Sequence, residues 1–260
     1  MSEVRSEFSR FWSMPETYLA MIPVAVLSLV FSIINIGVIN AVITGDLESK
    51  NLDPSLIDKP LATLMSEGYL GPVYQSAVIF IPIAAAYLTH LEYRYGDHEQ
   101  ILLTPGSLVA RRFGSILWTS SWAMLTTLCA AVVNFATCAL LLTPEGRASL
   151  SVAAALFVCL RVFVFAVLFA TLALAISALT YRLFTSVVVL LGLFMVSLAG
   201  LFQRVLPPLH NALPLIGGKS FAFYDATQGP FGVEISGWLL AAWIMFSCLV
   251  YLWLAGMRRR

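Results

Sequence analysis

Six long apolar runs constrain the fold of this chain more than any other feature of its sequence. A membrane-spanning helix needs about 20 mostly apolar residues, and six stretches come close to that length or exceed it. They are Tyr18–Ile43, Val73–Leu91, Phe113–Leu142, Ser151–Leu179, Phe184–Phe202 and Gly237–Met257. Only 11% of the 260 residues are charged, whereas soluble domains carry about 25%. We therefore predict an all-α, polytopic membrane protein with six transmembrane helices.

The predicted domain organisation is a single transmembrane domain over residues 1–260. It comprises an interfacial elbow helix (1–16), the six-span bundle (17–257) and a basic cytoplasmic tail (258–260). The elbow is predicted because Val4, Phe8, Phe11 and Trp12 share one helical face, which is typical of a helix lying in the headgroup plane. Pro15 separates it from the first span. A frayed terminus is the alternative.

The distribution of Lys and Arg predicts the orientation. If both termini are cytoplasmic, the inner segments contain nine of these bases and the outer segments contain five. Cytoplasmic loops carry the excess of positive charge in membrane proteins. We therefore expect a multi-pass protein of the cell (plasma) membrane, surrounded by lipids, with both termini and the connector between spans two and three in the cytoplasm.

The segment before the last span is unusually apolar for a loop. Residues 205–236 contain four prolines among Leu, Ile and Phe. Irregular backbone is tolerated at membrane depth where protein or water covers it, so we expect short re-entrant pieces. A compact loop that caps the helix ends is the alternative.

No motif in the chain indicates catalysis. "HEQIL" lacks the second histidine of a zinc-protease helix because Leu102 occupies its position, and "GGKS" lacks the first glycine of a P-loop because Leu213 stands there. The four cysteines lie in apolar runs without metal-ligand spacing. We therefore predict no catalytic residue, no metal site, no cofactor bound by this chain and no nucleic-acid partner.

Polar residues inside the spans are the remaining candidates for function, because each is costly in lipid. Arg161 lies well inside the fourth span. It is either a structural Arg that contacts backbone carbonyls and outer-loop acids, or a substrate or gating residue. Asn35 and Asn134 are also possible substrate or gating residues, although asparagines in spans more often join helices.

The third span carries a small residue at every fourth position, which allows a second backbone to approach closely. These residues are Ser115, Thr119, Ala123, Thr127 and Ala131. Packing within the bundle and a dimer seam are both compatible with the pattern.

The connector between spans two and three, "EYRYGDHEQILLTPGSLVARR", contains a short helix with its own start and stop signals. Asp97 is a good N-cap, Gln100 completes a capping box, and Pro105 ends the helix. Ile101, Leu102 and Leu103 of this helix are apolar residues on a charged cytoplasmic segment, and exposed apolar residues of this kind indicate a docking surface for another protein. The alternative is that they pack against the ends of the spans or lie in the headgroups.

The connector also resembles a segment of the type-2 ABC exporter permeases. The matching positions are Glu92, Arg94, Gly96, Glu99, Leu102, Pro105, Ser107 and Arg111. The family commonly has a Thr after the Gly, where this chain has Asp97. The elbow, the six spans and the apolar loop before the last span are similar to that family too.

The resemblance implies a permease subunit of an ABC exporter that moves an amphipathic drug, peptide or lipid outward. A separate ABC ATPase subunit would bind ATP and Mg and contact a coupling helix formed by Glu99, Gln100, Ile101, Leu102, Leu103, Thr104 and Pro105. A second permease, identical or different, would complete the pathway. The rival hypotheses are an ATP-independent secondary transporter or channel-like protein, and a membrane scaffold that transports nothing.

Overall fold

A computed structural model describes residues 2–48, 51–94, 108–200, 202–203, 205–222 and 231–257. Every regular element in these ranges is helical. The α-helices are α1 (Ser2–Ser13), α2 (Pro15–Leu19), α3 (Ile22–Thr44), α4 (Leu61–Arg94), α5 (Leu108–Leu141), α6 (Pro144–Ala148), α7 (Val152–Thr180), α8 (Leu183–Leu198), α9 (Pro207–Asn211), α10 (Pro214–Ala222) and α11 (Val233–Met257). A 3-10 helix, η1, covers Pro54–Asp58. The predicted all-α class is confirmed for the described residues.

Five of the described helical segments are long and apolar enough to cross a membrane. They are Pro15–Thr44, Leu61–Leu91, Leu108–Leu141, Val152–Thr180 and Val233–Leu254. The predicted fifth span corresponds to α8, which has only 16 residues and a length of about 24 Å, against a hydrocarbon core of about 30 Å. Gly200, with a positive φ of 62°, follows α8 inside the range predicted as helix.

The helix that contains the predicted second span, Val73–Leu91, begins before Val73. Helix α4 begins at Leu61 and continues through Pro72. A proline inside a helix removes one amide donor and crowds the carbonyl four residues earlier. In the structure, Asn134 Nδ2 donates to the carbonyls of Gly68 (3.1 Å) and Tyr69 (3.0 Å). The carbonyl of Gly68 is the one that Pro72 leaves without a donor, so a neighbouring helix restores its hydrogen bond.

Small and polar residues join α3 to α5. Ser28 Oγ donates to the Ala130 carbonyl (2.9 Å), and Ser32 Oγ donates to Asn134 Oδ1 (2.6 Å). Asn134 therefore contacts α3 and α4 from its position on α5.

The row of small residues at every fourth position of α5, which we call the small-residue ridge, packs against other helices of the same chain. Ser115, Thr119, Ala123 and Thr127 are buried, and Ala131 packs against the core while partly buried. The structure thus places the ridge at contacts within the bundle and not on an open surface.

Helix α1 packs against α5 at the end of the bundle that we call the terminal end, where α1, the start of α5 and the end of α11 meet. The Phe11 ring stacks on Trp118 with centroids 4.0 Å apart. Arg112 Nη1 donates to the Tyr251 hydroxyl (2.6 Å) and joins α5 to α11. The opposite, loop end contains η1, α6, α9 and α10.

The predicted elbow is thus a helix, and Pro15 begins α2 after a break at Met14. Of its apolar face, Phe11 is buried against α5, whereas Phe8 is exposed. A position in the headgroup plane stays a prediction.

Candidate functional site

A cleft of about 950 Å³ lies between α4, α8 and the α9–α10 segment, and it opens at the loop end. We call it the loop-end cleft. Asn35 of α3 also lines it. Nine residues separate Asn35 from the end of α3 at Thr44, a distance of about 14 Å along a helix. The cleft therefore extends from the loop end toward the middle of the bundle.

Most of the cleft wall is apolar. Its apolar side chains come from α4, α8 and α10, and they are Val78, Ile79, Leu191, Phe194, Met195, Leu198, Leu215 and Ile216. Lys59 and Glu67 also line the cleft and form an ion pair, with Lys59 Nζ 3.3 Å from Glu67 Oε1. Both side chains are about half exposed, so the attraction is screened by solvent.

Five further polar side chains line the cleft without a hydrogen bond or ion pair to any residue in the described ranges. They are Asn35, Gln75, Gln203, His210 and Lys219. Among them, His210 is only 7% exposed, and its enclosed Nδ1 atom has no hydrogen-bond partner among the described residues. Buried polar atoms in proteins are nearly always hydrogen-bonded. A large apolar cavity with a few converging polar groups is the usual form of a small-molecule site.

Close packing determines the position of α10, which supplies part of the cleft wall. A Cβ atom at Gly218 would clash with the ring of Phe165 on α7, and one at Gly217 would lie 2.7 Å from a methyl group of Leu239 on α11. The Trp243 indole also donates to the Ala212 carbonyl between α9 and α10 (2.8 Å). The two glycines of "GGKS" thus allow α10 to pack between α7 and α11. In residues 205–222, the predicted re-entrant segment contains two short packed helices, α9 and α10. Its depth in a membrane stays a prediction.

Arg161 contacts α10 and does not line the cleft. Its Nη1 atom donates to the Ala222 carbonyl at 3.4 Å, and its guanidinium lies 4.3 Å from the centroid of the Phe157 ring. Ala222 is the last described residue of α10. These contacts match the hypothesis of a structural Arg bound to carbonyls. A substrate or gating role for Arg161 stays a prediction.

The structure gives the asparagines of the spans different environments. Asn134 is 2% exposed and occupied by the hydrogen bonds that join α3, α4 and α5. Asn40 joins α3 to the end of α5, because its Nδ2 donates to the Leu141 carbonyl (2.9 Å). Asn35 is the one of these three that lines the cleft.

A second, apolar groove of about 400 Å³ lies at the terminal end. Its lining residues include Glu16, Pro23, Phe80, Ile83, Tyr87, Leu183 and Val187. On α8, positions 183, 187, 191, 195 and 198 recur every three or four residues and so form one face. On α4, positions 75, 79, 83 and 87 recur every four. The same faces of α4 and α8, which we call the α4–α8 seam, therefore line both the groove and the cleft.

The predicted coupling helix, Glu99–Pro105, and the basic tail 258–260 lie outside the described residues. Within the described ranges, no group of three or more His, Cys, Asp or Glu residues could bind a metal ion.

The chain is a membrane protein with several apolar helices of membrane-spanning length and a large cleft at one end. No family model matches the sequence, and a search of curated proteins finds no match.

Proposed function

We propose that this chain is the membrane-spanning permease subunit of an ABC exporter, located in the plasma membrane with both termini cytoplasmic. Together with a second permease and two separate ATPase subunits it would form an alternating-access pathway for an amphipathic substrate. One observation supports this proposal most directly. The α4–α8 seam lines an apolar groove at the terminal end and a partly polar cleft at the loop end.

The chemistry of the seam suits an amphipathic molecule. The groove offers mainly aliphatic and aromatic side chains, and the cleft adds amide, imidazole and ammonium groups to an apolar wall. Apolar surface buried in the groove would favour entry at the terminal end, at roughly 25 cal/mol per Å². The polar groups of the cleft would then contact the head group near the loop end.

Energy coupling is assigned to the connector helix between spans two and three. The pre-capped segment Glu99–Pro105 would dock on the ATPase subunit, which supplies ATP and Mg. Closure of two ATPase subunits would bring two such helices together and tilt the spans. The chain itself then performs no hydrolysis.

Two variants of the purified permease–ATPase complex test docking. Leu102→Asp places a charge on the apolar edge of the connector helix, and we expect it to abolish ATP-dependent export of a dansyl-labelled amphiphile from proteoliposomes. Ile57→Asp is the matched control, because Ile57 is an exposed apolar residue of η1 at the loop end. Unchanged assembly and unchanged export in Leu102→Asp would contradict the docking role. Export without ATP would favour a secondary transporter.

Filling the seam tests the pathway independently. Ile79→Trp and Leu191→Trp add bulk to the two helices that line the cleft, and we expect at least a tenfold loss of export with the ATPase still bound. Leu249→Trp is the matched control, because Leu249 of α11 is 65% exposed on the outside of the bundle. Full export in both seam variants would show that the substrate passes elsewhere.

A further inference from the structure

The charges around the loop-end cleft are unequally compensated. The charged or titratable side chains in its described lining are Lys59, Glu67, His210 and Lys219, together with the phenol of Tyr74. Lys59 and Glu67 form an ion pair and so compensate each other. Lys219 has no such partner among the described residues, and the described cleft therefore has an excess of positive charge.

His210 gives a second, independent indication. The side chain is more than nine-tenths buried, it lines the cleft, and its Nδ1 atom contacts no hydrogen-bonding group in the described part of the chain. Nearly all buried polar atoms in proteins have a partner. The Nδ1 atom is enclosed by protein atoms, so a ligand group supplies the missing partner only when the imidazole turns toward the cleft. When the imidazole is protonated, both ring nitrogens donate.

The other free polar groups of the cleft are compatible with the same kind of ligand. The Lys219 ammonium has three donors and no acceptor, and the side-chain amides of Asn35, Gln75 and Gln203 each offer two donors. Hydrogen bonds from a cation to an ionised acceptor are about twice as strong as neutral ones. A ligand with an anionic group would therefore gain more from this cleft than a neutral or cationic one.

We infer that the loop-end cleft binds an amphipathic molecule with an anionic head group, either a carboxylate or a phosphate. His210 and Lys219 contact the head group, and the apolar wall contacts the rest of the molecule through residues such as Val78, Leu191 and Phe194. This inference rests on the proposed function, because it names the substrate class of the same cleft.

A cationic amphiphile fits the same lining poorly. Glu67 is the only carboxylic acid among its described residues, and Lys59 already neutralises it. A cation in the cleft would face the exposed Lys219 ammonium with no free counter-ion among the described lining residues, and the two like charges would repel each other through solvent.

Binding of three matched probes to the full chain in phosphatidylcholine nanodiscs tests the inference. The probes are dansyl-labelled undecanoic acid, the corresponding alcohol and the corresponding trimethylammonium compound. We expect the carboxylate to bind about tenfold more tightly than the alcohol, which corresponds to about 1.4 kcal/mol, and the cation to bind most weakly.

Substitutions that change charge but keep polarity identify the groups responsible. The double variant H210Q/K219Q should lose about tenfold in affinity for the carboxylate and keep its affinity for the alcohol. Lys59→Gln should have a smaller effect, because Lys59 is already paired with Glu67. Glu67→Gln should strengthen carboxylate binding, since it releases the Lys59 ammonium. Thermal unfolding of each variant, matched to wild type, shows that it is folded.

Competition identifies the source of the anionic group. Displacement of the dansyl acid by lysophosphatidylglycerol but not by dodecanoate supports a phospholipid head group, and the reverse supports a fatty-acid-like carboxylate. Displacement by inorganic phosphate at the same concentration would contradict the role of the apolar wall.

Two results would overturn the inference. One is equal affinity for the three probes, and the other is unchanged carboxylate binding in H210Q/K219Q. Either result would contradict binding of an anionic head group without contradicting the proposed export function. That function fails separately, when neither Leu102→Asp nor the two seam variants affect export.

Discussion

At the residue scale, the relation between Pro72 and Asn134 has the clearest physical cause. Pro72 removes the amide that would bond to the Gly68 carbonyl, and Asn134 Nδ2 donates to that carbonyl from another helix. In lipid no water replaces a lost backbone hydrogen bond, and each unsatisfied group costs several kcal/mol. The asparagine therefore compensates for a defect in α4 as well as joining three helices.

A double-mutant cycle at these positions tests this compensation. Asn134→Leu should lower the free energy of unfolding by about 1–3 kcal/mol, the cost of leaving a buried partner unsatisfied. In a Pro72→Ala background the cost should be smaller, because the substituted alanine supplies the missing amide. Unfolding in mixed micelles with increasing sodium dodecyl sulfate measures both values. The same loss in both backgrounds would contradict the role assigned to Asn134 at Pro72.

At the element scale, the position of α10 depends on two glycines and an arginine. Gly217 and Gly218 allow close contact with α11 and α7, and Arg161 contacts the Ala222 carbonyl of α10. Lys219 and Ile216 of this helix line the cleft. The shape of the cleft therefore depends on contacts made on the far side of α10.

Substitution of Gly218 tests this packing. Gly218→Ala should lower the midpoint of thermal unfolding by several degrees and weaken binding in the cleft, because its methyl group would displace α10 from the Phe165 ring. Gly37→Ala is the matched control, since a Cβ there has no neighbour within 4 Å and alanine favours a helix by about 1 kcal/mol. Equal stability of the two variants would contradict the packing role.

Arg161 gives a second prediction for the same helix. Arg161→Gln should weaken the contact with the Ala222 carbonyl and destabilise the turn of α10 that contains Ala222. We expect faster amide hydrogen exchange in residues 214–222, measured by mass spectrometry, with little change in α5. Arg182→Gln, at the start of α8, is the control. If exchange in 214–222 is unchanged, Arg161 does not stabilise α10.

The bounds of a helix were predicted well from the sequence where local composition determines them. Span four was predicted as Ser151–Leu179, and α7 covers Val152–Thr180, because a long apolar run, which contains one charged residue, Arg161, has a capping Ser151 at its start. The start of α4 was missed because the hydrogen bond that compensates for Pro72 comes from Asn134, which is distant in sequence. Local composition does not contain that information.

The site was predicted only in part, for a similar reason. Asn35 was noted as a polar residue in a span, and it lines the cleft. His210 and Lys219 were not predicted as site residues, because they lie in a proline-rich segment between spans, where polar residues are ordinary. Only the packing of α9 and α10 brings them to the cleft. The combination of four prolines with an apolar composition was the available signal.

At the scale of the whole molecule, the charge distribution predicts how the two ends face the membrane. Thiol labelling in intact cells tests it, in a variant whose four cysteines are replaced by serine. Lys59→Cys, at the loop end, should react with a membrane-impermeant maleimide, because loops with few bases lie outside. Arg182→Cys should react only after the cells are permeabilised. The reverse pattern would invert the orientation and, with it, the side on which the cleft opens.

The pairing of Pro72 with Asn134 also has an evolutionary consequence. Replacement of Asn134 while Pro72 remains leaves the Gly68 carbonyl without a donor in an apolar interior. Replacement of Pro72 first restores the backbone amide and leaves the asparagine free to change later. The two losses are therefore expected in a fixed order. Among descendants of such a chain, proline without the amide side chain should be rare, and the amide side chain without proline should mark lineages in transition.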